Sequence, residues 1–271
     1  MKTYWRALTI AGSDSGGGAG IQADLKTFAA NGCYGMSVIT ALTAQNTRGV
    51  SGIHPVPIEF VAQQLDAVLS DIGADAVKIG MLYSPELIET VARKLGEYRV
   101  ERIVLDPVMV AQSGDKLVRG EAIEALKERV IPMAELITPN LPEATVLLGQ
   151  NIGTWTEMEG AARALARLGC RNVLVKGGHL ETADSDDCLY LGPERRIVRL
   201  AGERVATRNN HGTGCTLSAA IAARLAQGEA LEPAVRHAKE YVAQAIRAGA
   251  VYRLGHGHGP VHHFWRYWPP A

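Results

Sequence analysis

The 271-residue sequence lacks the features that mark secreted or nucleic-acid-binding proteins. Its four cysteines are widely spaced and form no C-x-x-C pair, so neither a disulfide framework nor a zinc knuckle is indicated. Lysine plus arginine and aspartate plus glutamate both total 28, which makes the formal net charge zero. The positive charge that dominates nucleic-acid binding is therefore missing. We expect no nucleic-acid partner, and a reducing cytoplasm fits the cysteine usage best.

Long apolar runs are also lacking. No window approaches the roughly 20 apolar residues that a membrane-spanning helix requires, and the first segment meets Gly12 and Asp14 before an export signal forms. Apolar residues nevertheless make up 47% of the chain, which is ample for a buried core. Because no proline-rich linker or internal repeat interrupts it, we predict one domain over residues 1–271, soluble and without a membrane partner.

What the sequence does contain is an alternation of short β-branched runs with longer segments of helical period, which is typical of an α/β fold with a parallel sheet. The predicted parallel strands are Ala7–Ala11, Ser37–Ala44, Ala76–Gly80, Ile103–Leu105, Leu136–Thr138 and Val173–Lys176. An antiparallel pair is predicted next, followed by two helices. These elements are Cys188–Leu191, Ile197–Leu200, about Gly212–Ala226 and Leu231–Tyr252.

Ligands of an open parallel sheet bind beyond the carboxyl ends of its strands, so residues at those ends should share one rim. These residues are Gly12, Gln45, Met81, Asp106, Asn140 and Lys176. Packing does not readily explain a carboxylate directly after an apolar strand. We therefore favour a functional role for Asp106 over a turn-forming role before Pro107. Asn140 and Glu143 have the spacing of a capping box, although Asp106 and Glu143 also suit a Mg²⁺ site. Lys176 either contacts a phosphate or is an ordinary exposed lysine.

The first glycine-rich loop, Gly12–Gly20, lies between a predicted strand and a predicted helix. It lacks the Gly-Lys-Ser/Thr ending of a P-loop, and its match to G-x-G-x-x-G is weak because glycine is so frequent there. Backbone without Cβ atoms at a strand end suits close packing over a flat polar ligand. We therefore assign this loop to ligand packing and make no claim for a nucleotide motif.

The second glycine-rich loop, Asn209–Thr216, leads into an alanine-rich helix. Gly212 and Gly214 allow consecutive backbone N–H groups to point into one concavity at the positive end of that helix, which suits a phosphoryl group in transfer. The position of Cys215 in the first helical turn favours its thiolate, which would make it a general base. The alternative is that Cys215 is a small buried apolar residue.

Eight motifs, in the same order and over essentially the whole chain, resemble the hydroxymethylpyrimidine/phosphomethylpyrimidine kinases of thiamine biosynthesis. They are Leu8–Asp14, Gly20–Thr27, Ala44–Thr47, Lys78–Met81, Asp106–Met109, Thr138–Glu143, Lys176–His179 and His211–Cys215. The resemblance implies the ribokinase-like three-layer fold, in which a largely parallel central sheet carries helices on both faces without a separate lid domain. It also implies a homodimer.

The resemblance implies ATP-dependent phosphorylation of 4-amino-5-hydroxymethyl-2-methylpyrimidine and then of its monophosphate. Gln45 would hydrogen-bond the aminopyrimidine. The other implied pocket residues are Gly12, Asp24, Met81 and Val108. Asp106 and Glu143 would organise Mg²⁺, and Lys176 would meet the ATP phosphates. The loop of Gly212, Thr213, Gly214 and Cys215 would form the anion hole, with Thr213 and Gly214 also beside ATP. The wider superfamily has an aspartate base at the position of Cys215, so whether the thiol is the base stays open.

Two other functions are compatible with the same residues. A pyridoxal or pyridoxine kinase of the same superfamily would bind a related heterocycle, and a non-catalytic regulator would bind the pyrimidine only. Half of the eight histidines crowd the tail, namely His256, His258, His262 and His263. They suggest a transition-metal site, but irregular backbone and neighbouring aromatic residues favour structural docking, near a subunit contact. Whether Val110–Gly120 closes over the site is left open.

Overall fold

The computed structural model describes residues 2–109, 120–178, 180 and 184–268, so residues 110–119 of the segment considered as a closing element lie outside the described residues. Strands β1 to β9 within these ranges are Arg6–Ser13, Tyr34–Asn46, Gly49–Pro55, Ala76–Ile79, Ile103–Leu105, Leu136–Ile137, Asn172–Val175, Asp187–Leu191 and Arg196–Leu200. All nine belong to one sheet with the order β3-β2-β1-β4-β5-β6-β7-β8-β9.

The six strands from β2 to β7 in this order are parallel, which confirms the predicted parallel sheet. At the far edge β8 and β9 pair antiparallel, as predicted. At the opposite edge of the sheet, β3 pairs antiparallel with β2. This strand was not predicted. Its sequence contains two glycines and a proline, and most of its residues are exposed, so it lacks the apolar alternation that identifies a strand.

Helices α1 to α8 within the described residues are Gly20–Ala30, Ile58–Asp71, Pro85–Glu97, Gly120–Ala125, Leu141–Leu148, Trp155–Ala166, Thr213–Ala226 and Leu231–Gly249. A π-helical turn and a 3-10 turn follow α4, at Leu126–Val130 and Ile131–Met133. Two predicted ends are corrected. Gly212 caps α7 and precedes its first turn, and α8 ends at Gly249, before the predicted Tyr252. In the described ranges no helix is both long and apolar enough to cross a membrane.

The helices form a layer on each face of the sheet. Helices α1, α7 and α8 share one buried cluster with Val104 and Leu136, whereas α2, α3, α5 and α6 share the other with Leu105 and Ile137. Neighbouring strand residues therefore point into opposite layers, as the two-residue period of a strand requires. This is the predicted α/β sandwich, and it leaves the strand ends accessible at one edge.

After α8 the tail folds back onto the chain, which confirms the predicted structural docking. The His262 N–H donates to the Ala245 carbonyl at 2.9 Å, and the Tyr241 hydroxyl donates to the His263 carbonyl at 2.6 Å. The four tail histidines do not converge, because His263 is buried beside Thr216 whereas His258 lies near Asn210. No group of three or more histidine, cysteine or acidic side chains suited to a metal occurs in the described part of the chain.

Candidate active site

A cavity of about 950 Å³ opens at the carboxyl ends of the parallel strands, a size typical of small-molecule sites. The predicted rim is confirmed, because all of its residues line this cavity: Gly12, Gln45, Met81, Asp106, Asn140 and Lys176. Other residues named from the sequence also line it, namely Val108, Glu143, Gly212, Thr213, Gly214 and Cys215. The sheet topology therefore brings together segments that are far apart in sequence.

Asp24 does not line the cavity, contrary to the expectation from the sequence. Its side chain is fully buried, and its Oδ2 accepts hydrogen bonds from Lys78 Nζ at 2.8 Å and Thr9 Oγ1 at 2.6 Å. Lys78 does line the cavity and was missed as a site residue. Burial opposes the charge of Lys78, but the acidic groups around it, of which Asp24 has the largest effect, together outweigh burial and raise the pKa of the ammonium. The sequence did contain a signal for it, because a lysine inside a strand predicted to be buried needs a charged partner.

Asp106, Glu143 and Lys176 form one charged cluster. Asp106 follows β5, Glu143 lies in the first turn of α5, and Lys176 follows β7. Lys176 Nζ lies 2.8 Å from Asp106 Oδ1 and 3.9 Å from Glu143 Oε2. Thr138 also donates to Asp106 Oδ1, at 3.1 Å. Asp106 is 2% exposed, so this strand-end carboxylate is held by specific partners and not by solvent. Lys176 is accordingly not an ordinary exposed lysine.

The capping box predicted at the start of α5 is confirmed. Asn140 Oδ1 accepts from the Glu143 N–H at 2.9 Å, and Glu143 Oε2 accepts from the Asn140 N–H at 2.8 Å. Only one carboxylate oxygen of Glu143 serves this box, and Oε1 takes no part in it. Capping and a second role for Glu143 are therefore compatible.

The two carboxyl groups of this cluster differ in acidity. Burial raises the pKa of Glu143 to about 7, and the nearby Asp106 carboxylate adds to the increase. Burial acts on Asp106 as well, but Lys176 and Lys78 outweigh it and hold the pKa of Asp106 below its usual value. Asp106 is therefore ionised at neutral pH, and a cation arriving beside it would favour ionisation of Glu143 too.

The turn before α7 has the conformation that a glycine anion hole requires. Gly212 has a φ of 78°, and a Cβ there would collide with the carbonyl oxygen of Gly18 in the first glycine-rich loop. A Cβ on Gly214 would lie 3.2 Å from Lys176 Nζ and 3.6 Å from Asp106 Oδ2. The first turn of α7 therefore abuts the charged cluster, and the positive end of the helix lies at the same end of the cavity.

The surroundings of Cys215 oppose the predicted thiolate. Burial raises the pKa of this thiol to about 11, and the Lys78 charge offsets only part of the increase. The start of a helix favours a thiolate, but around the half-buried Cys215 the effect of burial on the thiol is larger. Cys215 is therefore a neutral thiol at physiological pH in the ligand-free protein.

Asp14 is a further site residue that was not predicted from the sequence. Its carboxylate accepts backbone N–H bonds from Gly16, Gly18 and Ala19 at 2.8 to 3.0 Å, which organises the first loop. Its Oδ2 also lies 2.9 Å from His211 Nε2 in the second loop. Burial opposes ionisation, but these bonds hold the pKa of Asp14 below its usual value. An aspartate among glycines was the only signal in the sequence.

Gln45 stands beside this junction of the two loops. Its Nε2 lies 3.4 Å from His211 Nε2, and its Oε1 lies 3.2 Å from the Thr43 hydroxyl. The Ser15 side chain holds the Gln45 backbone, because its oxygen accepts from the Gln45 N–H at 2.8 Å and lies 2.9 Å from the Gln45 carbonyl. The carboxamide thus lines the cavity on a backbone fixed by the first loop.

Comparison with known proteins agrees with this architecture. The family profile described as phosphomethylpyrimidine kinase matches residues 14–262. A hydroxymethylpyrimidine/phosphomethylpyrimidine kinase of Rhizobium meliloti is 54% identical over 263 residues, which cover 97% of this chain and 98% of that protein. A thiamine biosynthesis bifunctional protein of Geobacter sulfurreducens is 58% identical over 256 residues, which are 94% of this chain but only 51% of that protein.

A solved structure shows the same fold. The ADP complex of Bacillus subtilis pyridoxal kinase has a TM-score of 0.89 and 38% identity, with 96% of this chain and 98% of that chain covered. The similarities extend over nearly the whole sequence. The chain belongs to the phosphomethylpyrimidine kinase family.

Proposed function

We propose that the chain transfers the γ-phosphoryl group of ATP to 4-amino-5-hydroxymethyl-2-methylpyrimidine, and then transfers a second one to the resulting monophosphate. The product is the pyrimidine pyrophosphate used in thiamine biosynthesis. The observation that carries the proposal is one cavity that joins the Gln45 carboxamide to the turn Gly212–Cys215 and the charged cluster of Asp106 and Lys176. The names of the relatives that match nearly the full chain support the same activity.

The acceptor would bind between the first loop and the end of β4. A carboxamide has both a donor and an acceptor, so Gln45 matches the amino group and ring nitrogen of an aminopyrimidine. Met81 and Val108 supply apolar surface for the ring, and a Cβ on Gly12 would lie only 2.9 Å from Met81 Cε. Asp24 would act from beneath this pocket, by keeping the charge of Lys78 paired.

The ATP phosphates would lie at the other end of the cavity, beside Lys176, Thr213 and Gly214. Asp106 and Glu143 present the carboxylate oxygens that Mg²⁺ prefers, and their different acidities leave an ionised group at neutral pH. The residues therefore fit a nucleotide-bound Mg²⁺, which would neutralise phosphate charge. Lys176 would then exchange its contact with Asp106 for one with a phosphate oxygen.

The chemical step is an in-line displacement. The acceptor hydroxyl oxygen bonds to the γ-phosphorus, the bond from that phosphorus to the bridging oxygen breaks, and ADP leaves. The first turn of α7 stabilises charge on the transferred group through its backbone N–H groups. Since Cys215 is a neutral thiol, we assign it to this anion hole. The hydroxyl proton passes to an oxygen of the transferred phosphoryl group, which a loose transition state allows.

Turnover of purified protein with Mg²⁺, ATP and the hydroxymethylpyrimidine tests this function. We expect ADP release with formation of the monophosphate and then the pyrophosphate. Gln45→Leu should chiefly raise the acceptor KM, because ring polar groups lose their partner. The exposed Gln63→Leu on α2 is the matched control and should leave KM unchanged. Absence of acceptor-dependent ADP release from the wild-type protein would reject the proposal.

A second candidate acceptor is pyridoxal, favoured by the close structural match to a pyridoxal kinase. It also carries a hydroxymethyl group on a flat ring. Relative kcat/KM values for the two acceptors decide between them. We expect the pyrimidine to be preferred, and a preference for pyridoxal would reverse the assignment.

We also propose that the chain forms a single domain, acts in the cytoplasm and assembles into a homodimer, as expected from the sequence. The dimer is tested by sedimentation equilibrium of the purified chain, in which a mass near twice 29.0 kDa is expected. A monomer at all concentrations would contradict it.

A further inference from the structure

The tail returns to the active-site edge of the sheet through a short segment that we call the C-terminal strap, Gly255–His263. One end of the strap contacts the turn between β2 and β3 at Thr47. The His258 N–H donates to the Thr47 carbonyl at 2.8 Å, and the His256 and Gly257 N–H groups donate to Thr47 Oγ1 at 3.2 and 3.1 Å. A Cβ on Gly257 would collide with the Thr47 carbonyl oxygen, so this approach requires glycine.

The next part of the strap contacts the loop that leads into α7. The His211 N–H donates to the Gly259 carbonyl at 3.0 Å, and His211 and Pro260 form a parallel bridge. A Cβ on Gly259 would collide with the Asn209 side chain. Asn209 Nδ2 also donates to the carbonyls of Gly249 and Tyr252, both at 2.7 Å, which ties the same loop to the end of α8.

These two attachments flank the two halves of the proposed site. Thr47 is two residues beyond Gln45, and the segment Asn209–His211 directly precedes the turn Gly212–Cys215. The strap therefore links the segment that would hold the acceptor to the segment that would hold the phosphoryl group. Side chains also join the two segments: His211 Nε2 lies 2.9 Å from Asp14 Oδ2 and 3.4 Å from Gln45 Nε2. The backbone bonds of the strap do not depend on a histidine tautomer.

We propose that the C-terminal strap is a positioning element, which sets the distance between the Gln45 carboxamide and the anion hole through Thr47 and the loop Asn209–His211. This inference rests on the proposed kinase function. In-line transfer needs the acceptor oxygen within about 3.5 Å of the phosphorus, and a displacement of about 1 Å costs on the order of a hundredfold in rate. An element that fixes both segments at once is therefore a determinant of turnover without touching the substrate.

Thr47→Val tests the proposal because it removes the hydroxyl acceptor of two strap N–H groups while keeping the branched shape of the side chain. We expect kcat/KM for the pyrimidine to fall about tenfold, with both kcat and KM affected and the KM for ATP unchanged. Thr47→Ser retains the hydroxyl and should restore most of the loss. Equal activities of the valine and serine variants would overturn the proposal.

A control separates positioning from general loosening of the tail. The Tyr267 hydroxyl donates to the Ala30 carbonyl at 3.0 Å, so Tyr267→Phe removes a tail contact remote from the cavity. It should lower the melting temperature without changing the acceptor KM. If Thr47→Val lowers only the melting temperature, as Tyr267→Phe does, the strap is merely structural and the proposal fails.

A second variant covers the backbone contact. Gly257→Ala should displace the strap from the Thr47 carbonyl and lower kcat/KM more than Thr47→Val does, in folded protein verified by its thermal transition. A folded Gly257→Ala variant with the same kcat/KM as the wild-type protein would also refute the proposal. An inactive wild-type protein would reject the kinase function itself, so the two failures are distinguishable.

Discussion

His211 and Asp14 join the two glycine-rich loops, with His211 Nε2 2.9 Å from Asp14 Oδ2 although the residues are 197 positions apart. The two loops also pack closely, because the missing Cβ atoms of Gly18 and Gly212 leave room for the His211 ring and for the Gly18 carbonyl oxygen. The acceptor side and the phosphoryl side of the cavity are therefore built as one unit. Changes in either loop should alter both.

Asp14→Asn should destabilise the protein and lower turnover. An amide has one acceptor oxygen for the four contacts that the carboxylate serves, so we expect a loss of about 1–3 kcal/mol. The pKa of Asp14 is below its usual value, so its stabilising contribution is complete above the unfolded pKa near 4. It is lost as pH falls through the lower folded value.

Urea unfolding from pH 7 downward measures this effect of Asp14. The difference in free energy of unfolding between wild type and Asp14→Asn should be constant near neutral pH and should shrink below about pH 4. Asp71→Asn, at an exposed position at the end of α2, should show no such difference. A difference that grows in acid would have the wrong sign and would contradict the assignment.

Gly212→Ala should impair both folding and catalysis. The substitution places a Cβ at a φ of 78°, which costs about 1–2 kcal/mol, and adds a collision with Gly18. Gly228→Ala is a matched control beyond the other end of α7, where φ is 83° and no atom lies within 4 Å of the added Cβ. Gly228→Ala should lose stability but keep its kcat. Similar kcat values for the two variants would show that the turn tolerates displacement.

Alkylation of Cys215 by iodoacetamide should be slow at pH 7 and should accelerate until pH approaches about 11. The thiolate is the reacting form, and burial raises the pKa of this thiol to about 11. Mass spectrometry of the peptide that contains Cys215 measures the rate separately from those of the three buried cysteines. Rapid alkylation with an apparent pKa below 8 would restore the interpretation of Cys215 as a thiolate base.

His263→Gln should make folding stability less sensitive to mild acid. Burial lowers the pKa of His263 to about 3, so between pH 6.5 and 3 the unfolded chain binds a proton that the folded chain does not. Wild-type stability should therefore fall as pH decreases, by about 2 kcal/mol from pH 6.5 to 5 through this group. Denaturant titrations at both pH values test it, with the exposed His54→Gln as control. Equal pH dependence of wild type and His263→Gln would contradict it.

Local patterns were sufficient for most elements of the fold. The β-branched runs predicted the parallel strands, and their order in the chain indicated which polar residues share an edge, so Asp106 and Lys176 meet as expected. The capping box at Asn140 was readable because its residues are three apart. Strand β3 was missed because its residues are largely exposed and pair only with β2, which leaves little hydrophobic pattern.

The sequence by itself determined the α/β class, the neutral charge and the two glycine-rich loops at strand ends, because each depends on composition or on short spacings. Only the tertiary structure decided which charged side chains reach the cavity. Asp24 and Lys78 come from different elements, and their pairing places the lysine at the cavity wall and the aspartate beneath it. The tertiary structure also decided the pKa of the Cys215 thiol, because the burial of a sulfur depends on every element packed against it.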